Sequence, residues 1–395
     1  MFHFNPISIS KNTIKYFPHI ETLNIRCNED ETFGNDVFND NLNTLPIVNK
    51  NKINFYQIKV WCSVTYICVH IHKGANIQYK NVIYTKEDRV KYFDKVVPKM
   101  VTKLGNECFY KTQISSIEIP NTVTCLQANC FAECLRLTSI TLPSMLQEIG
   151  THCFIKCYDL TSLNIPNSVN NFGENCFNQC YGLTSISIPN TIAVLPDFCF
   201  FKCTTLQSVT FPSRIRNINQ MCFADCYSLE RVNISNCECS IRRNAFWSCT
   251  NLKSVIINGN VSEINKGCFE FCNALVDVQL PNCVSKIGKT CFRYCIFLHD
   301  IKLPIGLKEI PKKCFCNCFN LEKVIVPENV SKIGKGAFLG CEILTNISIT
   351  SRVKILEKRC FYSCKSLEIE IPNSVTSIGK ECFEKCKNVV IHTDQ

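Results

Sequence analysis

Long apolar runs are missing from this chain. The longest apolar stretch, Ile58 to Ile71, is 14 residues and is broken by polar side chains including Ser63, Thr65 and His70. That is too short and too polar to span a bilayer. The opening residues, MFHFNPISISKNTIKYFPHI, hold no basic segment followed by an apolar one, so no secretory signal is visible. Histidine is scarce at seven residues, and no His-Glu-x-x-His pair or glycine-rich phosphate loop occurs. His152 stands beside Cys153, but Cys153 belongs to a repeated core position. His3, His19, His70, His72, His299 and His392 show no triad pattern either. Catalytic residues, metal ligands and cofactor-binding residues are therefore not expected.

Charge is also sparse. Charged residues are 19% of the chain, with a net charge of +10. Lys and Arg exceed Asp and Glu by 4 over residues 1–100 and by 7 over 281–395, while residues 101–280 carry a net −1. The basic character is too dilute for a nucleic-acid-binding domain, so no specific nucleic acid is expected.

What is abundant is cysteine, at 31 of 395 residues, in a chain too long to be a small disulfide-stapled scaffold. Its placement is periodic. Phe109, Phe131, Phe154, Phe177, Phe200, Phe223, Phe246, Phe269, Phe292, Phe315, Phe338, Phe361 and Phe383 form one series, spaced by 22, then ten times by 23, then by 22. The residue before each Phe is Cys in eleven copies and Ala in two, Ala245 and Ala337. Three residues after the Phe a second Cys stands in twelve copies, with Thr112 the exception. A Leu column follows, from Leu137 to Leu367.

The units share the consensus C-F-x-x-C-x-x-L-x-S-I-x-I-P-x-x-V-x-x-I-G, which residues 153–173 follow with Leu163 and Phe172 at two of the Ile positions. The alternation around Ile186 to Ile188 predicts a half-buried strand. Pro follows that strand in nine copies, Pro120 through Pro372, and ends it by removing a ladder donor. Val169 and Phe172 turn inward on the return stretch. Gly150, Gly173, Gly288, Gly334 and Gly379 are expected to permit a sharp turn. Cys382 and Cys386, at i and i+4, predict one face of a short helical turn. No single unit can bury its apolar face, but stacked units share a core. The predicted fold is a leucine-rich-repeat solenoid, an α/β coil with a parallel strand face, of about 13 repeats of 23 residues. At a strand spacing of roughly 4.8 Å its twelve steps span on the order of 58 Å.

The S-I-x-I-P strands and C-F-x-x-C turns resemble the BspA-like leucine-rich repeats of bacteria and parasitic protists, most of all the cysteine-rich amoebal type. The resemblance covers residues 96 to 391, with Val96-Val97-Pro98 and Leu104-Gly105 fitting the end of an upstream unit. Residues 1–95 match more loosely the N-terminal region of such proteins and are read as an irregular α/β cap. Members of that kind often begin further upstream, so a truncated cap is one expectation. The resemblance implies protein interaction, for some members surface adhesion, and no catalytic residues.

Three readings compete for the 23 motif cysteines. Stacked equivalents about 5 Å apart fall within disulfide range, Cys at i, i+4 can supply two zinc ligands, and free Cys is a small soft core residue. Replacement by Ala245 and Ala337 favours the core reading, because a core slot accepts Ala. The denser Cys314, Cys316, Cys318 and the pair Cys237, Cys239 lack a His partner and are weak metal candidates.

Two surface columns emerge when the units are aligned. The strand face begins with Ser116, Ser139, Ser162, Ser185 and Ser208 and then varies. Its varied stretch, with Arg231, Asn233, Asp277, Gln279, Asp300, Lys302 and Lys323, is the candidate specificity region for a protein partner. The second column lies two residues before each motif Cys or Ala and becomes Arg243, Lys266, Lys289, Lys312, Lys335, Lys358 and Lys380, seven basic residues in one register. Like charges about 5 Å apart repel by ~0.8 kcal/mol even in bulk water. The column docks an anionic polymer or an acidic lipid surface, or it is a solvated face that keeps the coil soluble. At the C-terminus Val389-Val390-Ile391 precede only His392-Thr393-Asp394-Gln395, an exposed edge that predicts weak end-to-end self-association.

The functional expectation is a non-enzymatic interaction scaffold in a reducing cytoplasm. The alternative is a cell-surface adhesin exported by an unconventional route. The Asn-x-Ser sequons at Asn233, Asn260, Asn329 and Asn346 bear on that alternative only if the chain is secreted.

Overall fold

The computed structural model describes residues 10, 12, 14–16, 20–40, 52–92, 96–235 and 238–391. Two parallel strand columns run along the molecule. The longer strands begin at Ser116–Glu118 and Ser139–Thr141 and continue through Ser185–Ser187, Ser208–Thr210 and Arg231–Ile234 to Asn388–Ile391. In Ser185–Ser187 only the central Ile186 is buried, so the strand lies where the alternation from Ile186 to Ile188 predicts it, beginning one residue earlier. The return stretch forms a second column of two-residue strands, such as Glu148–Ile149, Asn171–Phe172 and Lys286–Ile287. Pairing along both columns is parallel and in step, for example Arg231 with Ser254 and Ser254 with Asp277, or Glu309 with Lys332 and Lys332 with Ile355.

The stretch between the columns that carries C-F-x-x-C is not helical. In the coil at 150–157, the amides of Cys153, Ile155 and Cys157 close tight turns onto the carbonyls of Gly150, His152 and Phe154. The alternate amides of His152, Phe154 and Lys156 reach the carbonyls of Glu174, Cys176 and Asn178 in the next coil, each at 2.8 Å. His152 and Lys156 adopt φ of 56° and 58°, and a pair four apart does the same in every coil. Bonding to the neighbouring coil wins over i→i−4 bonding because it extends a ladder that every coil shares. The expected helical turn is therefore replaced by a chain of left-handed turns.

Glycine acts elsewhere than expected. Gly288 and Gly379 do not have positive φ; a Cβ on them would lie 2.2 and 2.3 Å from the backbone nitrogens of Lys266 and Lys358. These glycines allow adjacent coils to approach, while the left-handed positions are mostly filled by other residues.

Between the columns lies one continuous core. Its spine is the Phe series, in which twelve successive ring pairs from Phe109–Phe131 to Phe361–Phe383 stack with centroids 5.0–5.6 Å apart and planes within 13° of parallel. Such pairs add about 0.5–1.5 kcal/mol each beyond area burial.

The N-terminal region joins this ladder directly. Strands β1 (Thr22–Ile25), β2 (Gln57–Thr65) and β3 (Ile77–Tyr84) pair in parallel, and Ile83 of β3 pairs with Lys103 of the first short strand. Helix α1 (Tyr66–Ile71) follows β2 and α2 (Lys86–Tyr92) follows β3. Helix α2 starts at a reciprocal cap: Thr85 N–H donates to Asp88 Oδ2 at 2.8 Å and Asp88 N–H to Thr85 Oγ1 at 3.1 Å. Asp88 also accepts the Ile67 amide at 2.8 Å, tying α2 to α1.

Candidate interaction surfaces

The two motif cysteine positions differ in role. From Cys134 to Cys386, each second Cys points its thiol at the carbonyl oxygen of the Phe one coil earlier, at 3.0–3.3 Å. That carbonyl already accepts an amide within its own coil, as Phe154 O does from Cys157 N–H at 3.1 Å, so the thiol fills its second lone pair. Thr112, the one exception in sequence, turns its hydroxyl to the carbonyl of its own coil instead, reaching Phe109 O at 2.9 Å. The first Cys makes no such regular bond, and it is there that Ala245 and Ala337 occur. Burial pushes these thiols up, Cys176 to about 11, Cys268 to about 12 and most others further, except at Cys382, where a hydrogen bond with Cys360 lowers it. A thiol so held is protonated at neutral pH and a poor nucleophile or ligand. Cys314, Cys316 and Cys318 are all buried, as is Cys239, whereas Cys237 lies outside the described residues. No disulfide links the described cysteines, and no group of three or more His, Cys, Asp or Glu among the described residues is placed to hold a metal ion.

Sequence reasoning missed one cluster, in the N-terminal region. Cys68 Sγ lies 3.8 Å from His72 Nδ1, beside a cleft of about 300 Å³ lined by Tyr66, His70, His72 and Tyr79. The two residues are four apart on the end of α1, a spacing that was the available signal. Burial pushes the Cys68 thiol up to about 11, and it donates to Val37 O at 3.2 Å. His72 Nδ1 lies 2.8 Å from Cys68 O. The pair is engaged in backbone hydrogen bonds rather than poised for proton transfer.

The seven strand-face residues fall on two adjacent three-stranded sheets. Arg231, Asn233, Asp277 and Gln279 lie on the sheet of Arg231–Ile234, Ser254–Ile257 and Asp277–Gln279. Asp300, Lys302 and Lys323 lie on the next, which ends with Asn346–Ser348. All seven are exposed except Asp277, which is half-buried and accepts a bond from Ser254 Oγ at 3.0 Å. Ser235 Oγ donates to Asn233 Oδ1 at 2.8 Å. Among them Ile325 stands 72% exposed, an apolar side chain that the regular pattern gives no reason to leave in water.

The basic column is a true spatial ladder. The carbonyls of Arg243, Lys266, Lys289, Lys312, Lys335, Lys358 and Lys380 each accept an amide from the preceding coil at 2.9–3.1 Å. Six of the seven side chains are exposed, and Lys358 is half-buried and pairs with Glu381 at 3.4 Å. At the C-terminal edge Val390 and Ile391 are exposed, while residues 392–395 lie outside the described residues.

The chain is similar to several solved structures. A structure of a leucine rich cell surface protein from Faecalibacterium prausnitzii is similar at 25% identity, over 75% of this chain and 84% of that one, with a TM-score of 0.46. A leucine-rich repeat protein from Eubacterium ventriosum is similar at 19% identity over 70% and 84% of the two chains, with a TM-score of 0.48. One from Bacteroides ovatus is similar at 23% over 71% and 87%, with a TM-score of 0.39. A search of curated proteins finds no match. The model of the BspA type leucine rich repeat region matches residues 102–230, 172–299 and 262–390, and with most of the chain so covered, this protein belongs to the BspA-type leucine-rich-repeat family.

Proposed function

We propose that this protein is a non-enzymatic scaffold of the cytoplasm that binds a protein partner through the strand face between Arg231 and Lys323. The observation that carries this reading is the change along that face. The exposed Ser116, Ser139, Ser185 and Ser208 repeat one small hydroxyl. From Arg231 onward the same position presents Arg231, Asp277, Asp300 and Lys323, with Ser254 between them, and the neighbouring column presents Gln279, Lys302 and exposed Ile325. A parallel ladder holds these groups at fixed spacing, so binding requires little ordering of the surface. The buried, protonated thiols fit a structural role in a reducing compartment.

The test is affinity capture from lysate with the unmodified protein and with Arg231→Glu, Asp300→Lys, Lys323→Glu in one variant. A specific protein retained by the first and lost by the second supports the reading. An identical set retained by both ends it. Location is tested separately by treating intact cells with a membrane-impermeant biotinylation reagent. Labelling before lysis would replace the cytoplasmic scaffold with the surface adhesin.

A further inference from the structure

We infer that the ladder from Arg243 to Lys380 is a binding strip for a linear anionic polysaccharide, laid along the solenoid axis. This does not depend on the strand-face partner.

Apart from Lys358, the ladder forms no ion pair with the carboxylates of the same flank among the described residues. Glu263 pairs with Lys286 at 3.4 Å, Glu357 with Lys332 at 2.7 Å, and Glu381 with Lys358 and Arg359. Arg243, Lys266, Lys289, Lys312, Lys335 and Lys380 make no ion pair among the described residues. What remains is a line of positive charge one residue wide, with Lys308, Lys313 and Lys354 beside its C-terminal half. At about 4.8 Å per coil the line is on the order of 29 Å long. Its spacing is set by backbone bonds from coil to coil, so it cannot spread to relieve its own repulsion.

The residues on either side of the ladder leave it accessible. Gly288, Gly334 and Gly379 precede Lys289, Lys335 and Lys380, and Gly267 and Gly336 follow Lys266 and Lys335. No aromatic residue stands immediately before or after any ladder position. Single-stranded nucleic acid gains much of its affinity by stacking on such side chains, whereas the aromatics of the same turns are engaged with neighbours: Phe271 stacks on Tyr294, and Tyr362 lies against Arg359. A bilayer offers a broad plane of charge, whereas the cations beside this strip are partly neutralised by the ion pairs above. A stiff, extended pyranose chain suits a narrow line: it advances by about one coil per sugar and presents sulfate or carboxylate groups at regular intervals. Little conformational entropy is lost in straightening it.

The test measures binding of heparin to the whole protein across salt concentrations. The unmodified protein should bind at physiological salt, with affinity falling steeply as salt rises. Replacing Lys289, Lys312 and Lys335 by Gln should weaken binding at least tenfold and flatten the salt dependence. Replacing Arg231, Lys302 and Lys323 by Gln removes the same charge from the strand face and should change binding less than threefold. Thermal unfolding of both variants checks that they fold, and a single Lys312→Gln variant replaces the triple if it does not, with about a twofold loss expected. Equal loss in the two triples would mean non-specific attraction and overturn the proposal. So would the absence of heparin binding, or tighter binding to phosphatidylserine vesicles or to single-stranded RNA.

Discussion

The thiol of Cys180 donates to the carbonyl oxygen of Phe154, one coil earlier, at 3.1 Å. Cys176, four residues before it in the same turn, is equally buried but makes no regular bond of this kind. Replacing Cys176 by Ala should therefore cost about 1 kcal/mol, the loss of a buried sulfur alone. Replacing Cys180 by Ala should cost about 2 kcal/mol, because a carbonyl lone pair also loses its donor. Cys180→Thr should recover little of the difference, since the hydroxyl of Thr112 donates to Phe109 O in its own coil and not to the coil before. Urea unfolding midpoints would rank the three, and equal losses at both cysteines would count against a hydrogen-bonding role.

Alkali should unfold the protein over a definite range. Burial raises the folded-state pKa of Cys176 to about 11 and of Cys268 to about 12. An unfolded thiol titrates near 8.5, so above that pH the unfolded chain releases protons that the folded chain keeps. The stabilisation is complete below about pH 8.5 and is lost as pH rises toward the folded values, at ~1.4 kcal/mol per pH unit for each such thiol. Melting temperature followed from pH 7 to 11 should be level at first and then fall steeply. A level profile to pH 11 would contradict the buried thiols.

Thiol reactivity gives a second reading of the same core. Among the described residues only Cys27 and Cys283 are exposed. The Cys27 thiol is raised, first by its hydrogen bond to Asp30, whose Oδ1 it contacts at 3.1 Å. A maleimide dye on native protein at pH 7 should label Cys283 fast and Cys27 more slowly, leaving the motif cysteines for denaturant. Cys283→Ser should remove the fast phase, read by peptide mass mapping.

The left-handed turns predict a stabilising change. Met221 holds φ of 52°, a region costly for a side chain of its kind but tolerated by Asn. Met221→Asn should raise stability by about 0.5–1 kcal/mol in calorimetry. At Gly267, with φ of +64°, a Cβ would lie 2.3 Å from Asn244 Oδ1. Gly267→Ala should lower stability by more than 1 kcal/mol. If both changes proved neutral, the backbone strain would not be there.

Much of the architecture was legible because the period of 23 sets every coil in the same register. The buried Phe, Leu and Cys columns follow from repetition alone, and so do the exposed strand-face positions and the basic ladder. The helical turn was misread because Cys at i and i+4 suits a helix and left-handed turns equally. Nothing in Cys-Phe-x-x-Cys shows that alternate amides bond to the next coil. The expected role of Gly288 failed for the same reason, since the crowding comes from Lys266 on a neighbouring coil.

The sequence by itself therefore determined the coil, its repeat, its core columns and which side chains recur on which face, since these depend on spacing along one chain. Only the tertiary structure decided which of two identical cysteines is a hydrogen-bond donor, and which lysines of one flank are already paired. Those properties belong to groups 23 to 26 residues apart in sequence, brought together only when the coils stack.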